Sequence, residues 1–225
     1  CTDHAIFAAM LRIARREKIK TVLSGTNFST EHGMPISWTW HKLDRVNLWD
    51  INKRFGDRKL TDYPSMNTIH WLLVRKFGIG VNFVEPLNCF NYRKEHAISE
   101  LKREFSWEPY GGKHDESTFT KFYQGYILPK KFGIDKRKVH FSALIRTNQL
   151  SRADALQELA TPPFGEQDFK KDREYVLRKL GFSEEEFGEL MKKPSVPHDF
   201  YRTDRVYVDW ILTVARRIGL KGFYE

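Results

Sequence analysis

Apolar residues recur at 6, 7, 10, 11, 13 and 14 within 4-HAIFAAMLRIARREK-18. That spacing predicts a helix with one broad buried face, and Asp3 is placed to cap it. The period then changes. The run 19-IKTVLSG-25 is short and β-branched and ends in glycine, which predicts a buried strand leaving into a loop. Helical spacing returns over 43–55 and 65–77, on either side of the polar 56-GDRKLTDYP-64. A second strand is read in 81-VNFVEPL-87, stopped at Pro86, and Asn91 is read as the cap of a helix over about 92–105. The strand cores 22–24 and 82–85 are expected to lie parallel, joined by a helical crossover. Two strands make a poor sheet alone. Further strands are therefore expected before Cys1, which reads as the start of a truncated chain.

From 106 onward every period is helical. A helix from Glu116 brings Phe119, Phe122, Tyr123 and Tyr126 onto adjacent turns; 127-ILPKKFG-133 then links it to a helix opened by 135-DKRKVH-140. Ser151 caps 152–160, and Ser183 with Glu186 forms a capping box for 184–192. Residues 166–180 and 202–218 are two more helices, separated from their neighbours by 161-TPPFG-165 and 194-PSVP-197. The pattern is α/β: a partial α/β domain over 1–105 and a mostly helical region over 106–225, to which the resemblance given below assigns the nucleotide side and the substrate side.

Composition narrows the function. Of 225 residues 40% are hydrophobic, enough for a packed core and against disorder. No apolar run reaches membrane-spanning length. Two cysteines give no disulfide framework and suit a cytoplasmic protein. The opening C-T-D-H is half a metal site at most; the plainer reading, and the one preferred, is a buried or terminal thiol plus a first-turn histidine. A net charge of +9 calls for anionic partners, such as a nucleotide or a phosphorylated sugar. Lys and Arg are spread along the chain rather than gathered in an arm, which argues against a nucleic-acid partner.

Two stretches carry candidate chemistry. In an α/β sheet ligands sit beyond the carboxyl ends of strands, where 24-SGTNFSTEHG-33 falls. Gly25 permits close backbone approach to a phosphate or adenine. Thr26, Asn27, Ser29 and Thr30 offer hydrogen bonds, and Glu31 suits Mg²⁺ or a ribose hydroxyl. The competing reading is an ordinary strand-to-helix turn with Ser/Thr caps. The second stretch, 111–145, sets Lys113, His114, Asp115 and Glu116 at a helix start and Asp135, Lys136, Arg137 and His140 on a second helix, with aromatic residues between. Cations beside aromatic rings suit a sugar or a base. The competing reading is a packed helical pair carrying surface ion pairs. Trp38, Trp40, Trp49 and Trp71 are read as core or interface residues.

These stretches carry a resemblance. 3-DHAIFAAMLRIARREKIKTVLSGTNFSTE-31, 53-KRFGDRKLTDYP-64, 111–145 and 152-RADALQEL-159 resemble the bacterial N-acetyl sugar amidotransferases of lipopolysaccharide O-antigen biosynthesis, over about residues 1–165. That family belongs to the PP-loop ATP pyrophosphatases, with the adenine nucleotide alpha hydrolase-like fold. The resemblance implies amidation with ATP and Mg²⁺. The acetamido oxygen of a nucleotide-linked sugar is adenylated, and ammonia from a glutaminase and cyclase-like pair replaces AMP to leave an acetamidino group. It implies ATP contacts at Gly25, Thr26, Asn27, Thr30 and Glu31. Catalytic roles would fall to Lys113, His114 and Glu116, and sugar or pyrophosphate contacts to Lys121, Tyr123, Arg137 and His140. The family's Ser-Gly-Gly-x-Asp-Ser loop is not in this sequence, so the isolated chain is expected to be inactive and to represent the family's C-terminal part. Only Glu31 is acidic in the strand-end loop, which puts a direct metal role in doubt. Two other readings are a PP-loop tRNA-modifying enzyme, for which cysteine pairs are missing, and a basic helical nucleic-acid-binding module, for which no known motif appears.

Overall fold

The computed structural model describes residues 2–78, 80–109, 117–163 and 165–219. The chain is mostly helical and packs as two compact units. One comprises 1–25, 39–86 and 196–225; the other comprises 26–38 and 87–195. These units follow packing. The sequence-based division at 105 concerns nucleotide-side and substrate-side roles, which packing does not test.

In the first unit, α1 (Thr2–Arg16) buries His4, Ala8, Leu11 and Ala14. The buried stripe is rotated from the expected face, for Ile6 and Ile13 are 57% and 47% exposed. A histidine takes the core position because both ring nitrogens are satisfied there. Met66 N–H donates to His4 Nε2 at 3.1 Å, which leaves Nδ1–H to donate to the Lys42 carbonyl at 3.2 Å. Burial pushes the His4 pKa down, consistent with this neutral tautomer. Asp3 lies inside the first turn of α1 rather than ahead of it.

The predicted strands pair in parallel as β1 (Thr21–Leu23) and β2 (Asn82–Val84), in the register Thr21↔Asn82, Val22↔Phe83, Leu23↔Val84. Ser24 N–H extends the ladder to the Val84 carbonyl. The expected buried strand is in fact open, since Leu23 is 71% exposed. The crossover contains α3 (Arg45–Phe55), capped by Asp44, and α4 (Thr68–Phe77), capped by Asn67. Ala8, Leu11, Ala14, Leu43, Met66, Val74 and Val81 form the core, and Trp71 packs between Phe7 and Phe83 at 4.9 and 5.6 Å. Trp71 is a core residue as expected; Trp49 is 50% exposed and is not.

In the second unit, α2 (Phe28–Glu31) follows the strand-end loop. Next comes α5 (Lys94–Phe105), whose cap position is Arg93 rather than Asn91, with no side-chain bond. The helix predicted from Glu116 begins as α6 (Thr118–Phe122), passes through a π-helical turn at Tyr123–Ile127 and continues as α7 (Leu128–Phe132). The expected linker 127–133 is thus largely helical: α7 continues directly from the π-helical turn, with Pro129 as its second residue. Then follow α8 (Arg137–Arg146), α9 (Arg152–Ala160), α10 (Glu166–Leu180) and α11 (Glu184–Lys192). Ser151 and Ser183 cap as predicted, the latter in a complete capping box with Glu186. Phe122, Val176, Leu177 and Phe187 make the core, with Phe122 fully buried. The last described helix, α12 (Arg205–Arg217), belongs to the first unit.

Candidate functional site

The strand-end loop enters the second unit at Thr26. Two of its polar side chains are spent on folding. Asn27, 4% exposed, caps α2, its side-chain oxygen accepting from Thr30 N–H at 3.0 Å and from the Thr30 hydroxyl at 3.1 Å. Phe28 N–H donates to the Asn88 side chain at 3.0 Å, which fixes the loop to the 87–93 segment. Glu31 is exposed, and its charge adds to burial in raising the Tyr92 pKa. Gly25, in the other unit, has open space around it: a Cβ there would meet nothing within 4 Å.

Helix α2 packs against α8, the helix that carries Arg137 and His140. Arg146, in the last turn of α8, donates to the His32 carbonyl at 3.3 Å. The structure therefore brings the candidate loop 26–31 and the second cationic cluster onto one packed pair. Arg137 is a strut that ties the start of α8 to the end of α9. Its Nε bonds both Asp135 oxygens at 3.1 and 3.2 Å and its Nη2 bonds Asp135 Oδ2 at 2.8 Å. Nη1 donates to the Thr161 and Glu158 carbonyls at 2.8 and 3.3 Å. Burial alone would raise the Asp135 pKa; the Arg137 side-chain and backbone hydrogen bonds overcome it and hold the carboxyl low. His140 is half-buried one turn further on, beside fully or nearly buried Val139 and Ala143.

The π-helical turn sits between α6 and α7. Such insertions re-aim side chains and recur at functional sites. Tyr123, its first residue, stacks near Phe119 at 6.0 Å, and burial raises its pKa. Tyr126 packs on Phe122 and Phe169 at 5.4 and 4.8 Å, with Arg173 over its ring at 5.8 Å. Lys121 pairs with Asp172 at 3.0 Å, a mostly buried bond that ties α6 to α10. Lys113, His114 and Glu116 lie outside the described residues.

The sequence reading missed a polar cluster in the first unit. Asp44, 3% exposed, caps α3 through Asn47 N–H at 2.8 Å, accepts from Trp40 Nε1 at 3.3 Å, and accepts Asp204 N–H at 3.2 and 3.3 Å. The Thr68 hydroxyl donates to the Asp204 carboxyl. Burial raises the Asp204 pKa and the Asp44 charge adds to it, against the hydrogen bond from Thr68 and the His41 charge. Trp40 stacks on His198 at 4.8 Å. Asp44 ahead of a helical period was a legible cap signal; its pairing with residue 204 was not.

Among the described residues, no group of three His, Cys, Asp or Glu side chains could hold a metal ion, and no helix is long and apolar enough to cross a membrane.

Residues 116–216 match the family described as LPS biosynthesis protein WbpG-like, C-terminal domain. That stretch, just under half of the chain, is similar to a WbpG-like C-terminal domain. The match agrees with the resemblance to the C-terminal part of the O-antigen amidotransferases. It also reaches past residue 165, where that resemblance faded, through α10, α11 and nearly all of α12. The matched residues include the π-helical turn, the Asp135–Arg137 pair and Asp204. No curated protein and no solved structure matches the chain.

Proposed function

We propose that the chain is the substrate-side part of an ATP-dependent amidotransferase acting on a nucleotide-linked N-acetyl sugar in lipopolysaccharide biosynthesis. The observation that carries this reading is the WbpG-like match over 116–216, which contains the segment where sugar-side groups were expected. In the proposed reaction the acetamido oxygen attacks the α-phosphorus of ATP and pyrophosphate leaves. Ammonia then adds to the activated carbon, AMP departs with the oxygen, and an acetamidino group remains. An amide oxygen is a poor leaving group, so adenylation must come first, in a site that keeps water from the adenylate. The ammonia comes from a glutaminase and cyclase-like pair.

The chain's net charge of +9 suits two polyanionic substrates. Glu31 alone in its loop does not make a metal cage, so Mg²⁺ fits only as a companion of the ATP phosphates, and no step is assigned to it. In this reading Thr26 and the backbone around Gly25 face ATP, with Asn27 and Thr30 shaping the turn. Lys113, His114 and Glu116 act at the reacting amide, and Tyr123, Lys121, Arg137 and His140 line the sugar side. Arg137 and Lys121 do so as positioning residues, since each is engaged by a neighbouring carboxylate.

The test is binding of UDP-N-acetylglucosamine, followed through its acetamido methyl by saturation-transfer NMR. His140→Ala and Tyr123→Phe are expected to weaken the transfer with the fold retained. Equal transfer in both variants would remove these residues from the sugar side.

A further inference from the structure

The stretch 53–64 carries part of the resemblance, yet the amidation reading gives it no task. The structure puts it beside the one exposed tryptophan of α3. Arg45, Trp49 and Lys53 recur every fourth residue and so share one face of that helix. Trp49 is 50% exposed, and the Arg45 guanidinium lies over its ring at 4.9 Å. The chain then reverses at Gly56, whose N–H bonds the Asn52 carbonyl at 2.8 Å. A Cβ at Gly56 would lie 2.7 Å from that carbonyl oxygen, so only glycine permits this close return. The Asn52 side-chain amide donates to the Arg58 carbonyl at 2.9 Å and pins the returning segment. The result is a groove of about 460 Å³ lined by Trp49, Asn52, Lys53, Lys59, Leu60 and Thr61.

Its chemistry is specific. One wall offers an indole and the other a leucine and a threonine. Lys53, from α3, and Lys59, from the returning segment, both line it, and among the described residues neither has an ion-pair partner. Two uncompensated ammonium groups in a concave surface attract an anion, and a half-exposed indole stacks a ring. The volume falls in the range of small-molecule sites, about 300–1,000 Å³.

We propose that this groove binds a ring-bearing phosphate, a nucleotide or a sugar phosphate, with Trp49 stacking the ring and Lys53 and Lys59 holding the phosphate. The proposal concerns the first unit alone and stands independently of the amidation reading.

Calorimetric titration of the full chain tests it, with UDP, N-acetylglucosamine 1-phosphate, inorganic pyrophosphate and uncharged N-acetylglucosamine as probes. The paired variant Lys53→Gln/Lys59→Gln is expected to weaken both ring-bearing phosphates by about tenfold or more. Trp49→Ala should weaken the same two while leaving pyrophosphate unchanged. All three positions are at the surface, and an unaltered circular dichroism spectrum confirms that the fold is retained. Tighter binding of UDP assigns the ring to a base, and tighter binding of the sugar phosphate assigns it to a sugar. Undetectable binding of both at millimolar concentration overturns the proposal. So does binding that survives the paired variant, or uncharged N-acetylglucosamine binding as tightly as its phosphate.

Discussion

Replacing Asp44 by alanine is the sharpest test of the first unit's architecture. The carboxylate accepts from Asn47 N–H, Trp40 Nε1 and Asp204 N–H, and it is 3% exposed. Loss of the cap costs about 1 kcal/mol. The other two donors are then left without this acceptor, at about 1–3 kcal/mol each where water cannot reach. Relief of like charge at Asp204 offsets part of this, on the order of 1 kcal/mol. The net loss is about 2–6 kcal/mol, a fall in melting temperature of about 4–24 °C for a chain of this size. Thermal denaturation followed by circular dichroism measures it, with Asp44→Asn as the comparison because asparagine keeps the cap. Asp204 gives that pair a pH signature. Its folded pKa is raised above the ordinary 3.8. Its contribution is therefore complete below that value and is lost as pH rises through the raised one. Asp44→Asn removes one cause of the raising and should shrink that loss. A melting temperature for Asp44→Ala within about 1 °C of the parent would refute the reasoning.

Other outcomes follow from single contacts. His4 has a folded pKa below its ordinary 6.5, so its contribution is present above 6.5 and is lost as pH falls through the lowered value; His4→Asn should flatten that part of the stability profile in chemical denaturation. Phe122→Ala, at a fully buried position, should cost the second unit about 3–5 kcal/mol in urea denaturation. Arg137→Lys should not replace the fork that joins Asp135 to the Thr161 and Glu158 carbonyls; about 1–3 kcal/mol should be lost, and an Asp135 carboxyl titration followed by NMR should move upward. Gly25→Ala should leave the melting temperature unchanged, so any nucleotide binding it loses reports close approach by a ligand.

Local chemistry was legible wherever one residue type decides the geometry. Ser151, and Ser183 with Glu186, start their helices where the sequence placed them, because a cap needs only neighbours three residues away. The parallel pairing of 21–23 with 82–84 was legible from β-branched runs separated by a crossover. What escaped depends on distant partners. His4 reads as polar but is buried, because Lys42 and Met66 supply its bonds from 38 and 62 residues away. Asp44 and Asp204 meet across 160 residues, and no periodicity records that. The π-helical turn at 123–127 interrupts a period that looks continuous in sequence, so residues after it point elsewhere than expected. In the candidate site, neither the packing of loop 26–31 against the Arg137 and His140 helix nor the strut role of Arg137 was anticipated.

The central claim is amidation of a sugar. The decisive measurement gives the natively expressed protein ATP, Mg²⁺, heavy-nitrogen ammonium and a panel of nucleotide-linked N-acetyl sugars, then follows the sugar by mass spectrometry and the nucleotide by chromatography. The account predicts a sugar whose acetamido oxygen has been exchanged for labelled nitrogen, with AMP and pyrophosphate formed in equal amounts. Unlabelled sugars throughout, or label and AMP formation that require added tRNA instead, would contradict it.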